Sequence, residues 1–222
     1  MRRTLALFVL IAVVVSLTPL LATPAVARNI RFAFVTGLSA ASLITNENVG
    51  DQRPMYDMRL GVQAVLPLRA TTSMIVEAAY SAKGFNAEDA HANAVTGENY
   101  WAAHTGGVSM YYLDVSALYA ARFGALQVYG GPYLGLFHSG KYHYEEQGSQ
   151  GECVPFMEGR GVAEPNEWDV TVPDFGLTVG VNLLNGPVFL GPRYSRGLHD
   201  IASGSNFTGY NSVFSFNVGF MF

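Results

Sequence analysis

The chain holds a single cysteine, Cys153, so no intrachain disulfide can staple it. It has no CxxC pair and no zinc-ligand spacing, which argues against a structural zinc site. Charge is scarce: Asp, Glu, Lys and Arg make up 14% of the residues, against about 25% in an ordinary soluble domain. Basic residues are outnumbered 13 to 17 and form no patch, so nucleic acid is not an expected partner. Beyond residue 27 no uninterrupted apolar stretch is long enough for a helical span. Yet half of the residues are hydrophobic. A chain so poor in charge has trouble covering itself in water, whereas a chain with a lipid-facing belt does not.

The N-terminus has the layout of an export signal. Arg2 and Arg3 precede an apolar run from Leu5 to Leu21, followed by Pro24 and the small-x-small triplet Ala25-Val26-Ala27. The run approaches the length of a membrane helix, but the triplet and the helix-breaking proline favour cleavage. Residues 1–27 are therefore expected to be a removed secretory signal, and residues 28–222 the mature domain. Without Arg2 and Arg3 the mature part has 11 basic and 17 acidic residues, a net charge of −6.

What remains alternates with a period of two. From Tyr56 to Leu66, Tyr56, Met58, Leu60, Val62, Ala64 and Leu66 share one face, and Asp57, Arg59, Gly61, Gln63 and Val65 the other. The same alternation runs through Met74–Lys83, Tyr111–Ala120, Phe175–Leu183 and Val213–Phe222. Three weaker segments, Ile30–Leu43, Leu126–Ser139 and Val188–Gly197, bring the count to eight, an even number as single-chain bacterial barrels require. Proline disfavours a central strand, so Pro132 and Pro192 are expected at bulges or irregular pairings. Connections alternate in length. Pro67–Thr71, Arg122–Ala125 and Asn185–Pro187 are short, and Asn185-Gly186 is a hairpin signal. Thr45–Pro54, Gly84–Val108, Lys141–Val172 and His199–Tyr210 are long. Short turns at one end and long loops at the other are the asymmetry of an outer-membrane barrel, with both termini in the periplasm.

Alternation alone does not tell the lipid face from a buried one. The polar faces are mostly glycine, serine, alanine and asparagine, too small and uncharged for a solvated exterior. On the apolar faces Tyr56, Tyr80, Tyr111, Tyr119, Tyr194 and Phe222 sit near strand ends, as interfacial girdles do. The fold class expected is all-β: a transmembrane antiparallel up-and-down β-barrel of eight strands, with long extracellular loops near 84–108 and 141–172.

Three segments carry a family resemblance: Val128-Tyr129-Gly130-Gly131-Pro132-Tyr133-Leu134-Gly135, Asp174-Phe175-Gly176-Leu177-Thr178-Val179-Gly180, and Arg193-Tyr194-Ser195-Arg196-Gly197-Leu198. In them the chain resembles the porin-family outer-membrane β-barrel-domain proteins, akin in architecture to small OmpA/OmpX-type barrels. The resemblance implies a bacterial outer-membrane location and contact with outer-membrane lipid. It also implies passage through periplasmic chaperones to the barrel-assembly machinery. Phe214, Phe216, Phe220 and Phe222 resemble the terminal signal which that machinery reads. Such motifs define a scaffold and no chemistry.

An eight-stranded barrel is just wide enough for side chains to fill. Arg59, Glu77, Asp114 and Arg193 fall mid-strand on the inward face and are expected to pair as an interior charge cluster. The cluster can be a gate that re-pairs or a static core that satisfies itself; the static core is favoured. Lys83, Asp57, Asp174 and Arg196 are placed nearer the loops, as a mixed rim. His138, His143, Glu145 and Glu146 match no closed metal site, and nothing basic flanks Cys153 to activate it. His199, Asp200 and Ser203 lie close in sequence but lack a nucleophile elbow such as GxSxG. No cofactor is expected. The sequence therefore favours a non-enzymatic surface scaffold whose loops meet an extracellular ligand or surface; the alternative is a narrow pore.

Overall fold

The computed structural model describes residues 30–45, 51–90, 103–144, 149–155, 167–170, 173–201 and 208–222. The export signal expected at residues 1–27 lies outside them. The strands are β1 (Arg31–Thr45), β2 (Asp51–Arg53), β3 (Met55–Pro67), β4 (Thr72–Ala90), β5 (Ala103–Phe123), β6 (Leu126–Tyr144), β7 (Ser149–Pro155), β8 (Glu167–Val170), β9 (Asp174–Asn185), β10 (Val188–Gly197) and β11 (Gly209–Met221). Eight of these close a barrel in the order β1-β3-β4-β5-β6-β9-β10-β11 and back to β1, with every neighbouring pair antiparallel. Closure is made by β1 and β11 over thirteen register positions, from Ala33↔Met221 to Thr45↔Gly209.

The period of two explains the wall. Along β3, Tyr56, Met58, Leu60 and Val62 are exposed, while Met55, Arg59, Gln63 and Val65 are buried. Along β11, Phe214, Phe216, Val218 and Phe220 are exposed, while Val213, Ser215 and Asn217 are buried. A closed wall of exposed Leu, Val, Phe and Tyr is stable only against hydrocarbon. Near the short-turn end the rings of Phe32 and Phe34 lie 6.5 and 5.3 Å from that of Phe222. Near the loop end Tyr80 stacks on Tyr111 at 5.7 Å. These rings form the two interfacial bands.

The turns at one end of the barrel are short. In the β9–β10 hairpin the flanking pair is Asn185↔Val188, so the central residues are Gly186 and Pro187. Gly186 has φ +61°. Proline cannot take positive φ, so this is a II′-type hairpin with glycine at its first central position. Pro132 and Pro192 each leave a two-residue gap in one ladder, facing β5 and β9 respectively, and pair normally on their other side. The register shift in β6 lies elsewhere, opposite Tyr111/Tyr112.

The long loops depart from expectation. Of the segment 84–108, residues 84–90 continue β4 and residues 103–108 belong to β5, paired out to Ala90↔Ala103. In 141–172, β6 runs on to Tyr144 and β7 pairs with it, while β8 pairs with β7 in parallel. β2 pairs with the extension of β4. These strands rise past the membrane, where neither face meets lipid, so their sequences carry no apolar alternation to read.

Candidate functional site in the barrel lumen

The six buried charged side chains of the described residues all point inward: Arg59, Glu77, Lys83, Asp114, Asp174 and Arg193. They form two tiers. In the tier nearer the short-turn end, Glu77 of β4 lies between two guanidinium groups. Its Oε1 accepts from Arg59 Nη2 of β3 at 2.5 Å and from Arg193 Nη1 of β10 at 2.6 Å. Its Oε2 accepts from Gln63 Nε2 at 2.6 Å, because Gln63 is the cross-strand partner of Glu77. Arg193 Nη2 donates to Ser116 Oγ at 3.2 Å and Thr178 Oγ1 at 3.4 Å. The tier carries one net positive charge.

The outer tier centres on Lys83. Its Nζ is 2.8 Å from both Asp114 Oδ1 and Asp174 Oδ2, and 4.5 Å from the ring centres of Tyr112 and Tyr133. Ser81 Oγ donates to Asp114 at 2.6 Å, while Tyr133 Oη and Asn211 Nδ2 donate to Asp174 at 3.1 and 3.0 Å. Backbone register makes the tier possible. Asp114, Gly135 and Asp174 are successive partners across β5, β6 and β9. A Cβ on Gly135 would lie 2.9 Å from Lys83 Nζ, so a glycine between the two aspartates leaves room for the amine. This tier carries one net negative charge, and the lumen sums to zero.

The interior charge residues expected from the sequence thus divide. Arg59, Glu77 and Arg193 come together, and Asp114 belongs with Lys83 instead. Lys83 and Asp174 are not rim residues: both are 1% exposed or less. Their strand parity is inward, and β4, β5 and β6, which wall in the lumen at this level, run farther out than their apolar pattern shows. Asp57 and Arg196 are half-buried and contribute to neither tier; the Arg196 guanidinium lies 5.8 Å over the Tyr210 ring.

Apolar packing fills the short-turn half of the lumen. Ala33, Val35 and Phe189 form one cluster with Leu184 and Met221 against it, and Val65, Ile75, Leu118, Ala120 and Tyr129 form another. Large rings fit because each faces a glycine directly across the ladder: Phe189↔Gly219, Tyr129↔Gly180 and Tyr133↔Gly176. A Cβ at any of these glycines would collide with the facing ring. Above the Lys83 tier, Tyr112 packs edge-on against Phe137 at 5.6 Å.

The residues that invited a hydrolase reading have other partners. His199 stacks on Phe175 at 5.3 Å, and Asp200 Oδ1 accepts from the Gly209 N–H at 2.8 Å. Ser203 lies outside the described residues. His138 lies edge-on to Tyr80 at 6.2 Å. The side chains of His143, Glu145, Glu146 and Cys153 also lie outside the described set. Phe214, Phe216, Phe220 and Phe222 face outward, each about half exposed or more.

A closed antiparallel eight-strand barrel with a lipid-compatible exterior and a filled lumen defines a small outer-membrane barrel. The outer membrane protein beta-barrel domain model matches residues 22–203, and the chain belongs to that family. The family places it in the bacterial outer membrane. No curated protein matches it. Among solved structures it is similar to Ail, the attachment invasion locus protein of Yersinia pestis, at 8% identity and TM-score 0.47, covering 86% of this chain and 98% of that one. It is similar also to Neisserial surface protein A at 13% identity and TM-score 0.48, covering 85% and 96%.

Proposed function

We propose that this chain is a non-enzymatic surface protein whose closed barrel is a rigid anchor for the segments it presents outside the cell. The observation that carries this reading is the filling of the lumen. Three cations and three anions neutralise one another in two tiers, and an apolar plug backs them. Such an interior has no stretch left for a solute to pass. The strands that continue beyond the membrane, with β2, β7 and β8 added to them, give the barrel a structured outer platform, where function on a rigid scaffold usually resides. Cleavage after Ala27 and delivery by periplasmic chaperones to the assembly machinery, through Phe214, Phe216, Phe220 and Phe222, complete the proposal.

A complementation experiment tests it. In cells lacking the gene, a chain with residues 91–102 and 156–166 replaced by short Gly-Ser linkers should still assemble. It should fail to restore cell-surface attachment that the full chain restores. Restoration by the linker chain would contradict the scaffold reading.

One observation favours a narrow pore as a second reading. Arg59 Nη1 and Asp174 Oδ1, one in each tier, are buried without a hydrogen-bond partner. Polar atoms left in this condition are costly, and they mark where the two tiers can rearrange.

A further inference from the structure

Charge along the barrel axis is segregated. Between the level of Glu77, whose ladder partners are Gln63 and Ser116, and the short-turn end, the described segments 30–37, 64–76, 117–128, 177–192 and 213–222 contain no Asp or Glu. Their only charged residues are Arg31, Arg69 and Arg122. Arg31 continues the inward row of Ala33 and Val35, and Arg122 that of Leu118 and Ala120. Arg69 sits in the β3–β4 turn, where the N–H groups of Leu68 and Arg69 are both held by the Thr72 carbonyl.

The three arginines line one open cavity of about 90 Å³ at this mouth, together with Thr72, Ser73 and Gln127. Arg122 Nε donates to the Gly124 carbonyl at 2.8 Å, which fixes that guanidinium over the turn. Among the described residues no Asp or Glu lines this cavity. Three guanidinium forks, the hydroxyls of Thr71, Thr72 and Ser73 and an amide, with no Asp or Glu in the lining, are a donor set for an oxyanion. Arginine in particular matches phosphate bidentately. The level is that of lipid headgroups, since exposed Phe32, Phe123 and Phe222 stand beside the mouth on the lipid face.

We propose that this mouth is a phosphate-binding site, in which Arg31, Arg69 and Arg122 hold the headgroup phosphate of an anionic phospholipid of the periplasmic leaflet. The ligand is recognised as a phosphodiester with net negative charge. A zwitterionic headgroup, whose own cation competes for its phosphate, binds less well. The site would give the barrel a fixed depth and a shell of anionic lipid at its periplasmic end.

The test is native mass spectrometry of the refolded full chain released from mixed micelles holding equal phosphatidylglycerol and phosphatidylcholine, with inorganic phosphate added in a parallel arm. The proposal expects phosphatidylglycerol to be retained about tenfold over phosphatidylcholine. The ratio should fall to about one in the Arg31→Ala/Arg69→Ala/Arg122→Ala variant and partway in the triple Arg→Lys variant, whose charge stays but whose forks are lost. Heat-modified gel migration verifies that both variants fold. If the alanine variant does not fold, the lysine variant alone decides. Equal retention of the two lipids, or a preference unchanged in a folded variant, overturns the proposal. Displacement of the lipid by millimolar inorganic phosphate would identify a site for a soluble anion, which also overturns it.

Discussion

Glu77 has the most demanding position of any residue here. One carboxylate bridges two arginines from distant parts of the sequence, so it ties β3, β4 and β10 together through the lumen. Removing one member of a buried charge group leaves the others uncompensated, typically at a cost of about 3–5 kcal/mol. Glu77→Ala should therefore lower the temperature at which the folded band disappears on an unboiled gel. Arg59→Ala should lower it less, since Arg193 still satisfies the carboxylate. Equal behaviour of Glu77→Ala and the parent would contradict the ion-pair account. The aromatic–glycine pairs make a second prediction at this scale. Gly219→Leu should prevent the heat-resistant form altogether, because Phe189 already occupies that space, and Phe189→Ala in the same chain should partly rescue it. The parity of Arg59, Glu77 and Arg193 was visible in the sequence. Their grouping apart from Asp114 was not, because it depends on which strands face one another across the lumen. Lys83 and Asp174 had the inward parity as well, and only the underestimated outward reach of β4, β5 and β6, which wall in the lumen at their level, hid them.

At the scale of the elements, alternation was legible wherever one face meets lipid, and silent beyond. β3, β9 and β10 were read to within a residue or two at each end, since each spans little more than the membrane. β4, β5 and β6 were read short, because their outer halves have water on one or both sides and no apolar row to mark them. The turns were legible through glycine. Gly186 takes positive φ, so Gly186→Val should destabilise the β9–β10 hairpin by about 1–3 kcal/mol, measured by urea titration of the folded barrel in detergent. Gly186→Asn should cost much less, because asparagine tolerates the left-handed region. Strand β11 carries the proposed assembly signal. Phe222→Ser should slow assembly in cells, followed by pulse-labelling and gel shift, while leaving the stability of the assembled barrel nearly unchanged. A parallel loss of stability would move the role of Phe222 from recognition to packing with Phe32 and Phe34.

The whole molecule follows from few features. Scarce charge is tolerable because the exterior is covered by hydrocarbon, and closure of β1 on β11 removes the free edges that otherwise invite aggregation. The narrow lumen that eight strands leave must be filled, and this chain fills it with a neutral double tier over an apolar plug. The central claim is that this interior is static. The measurement that tests it most directly is planar-bilayer conductance of the refolded barrel, with Arg59→Ala and Glu77→Ala beside it. The filled lumen predicts no current steps, or rare small ones that neither substitution changes. Reproducible steps whose size or frequency shifts with Arg59→Ala would contradict it and make the two tiers a pathway.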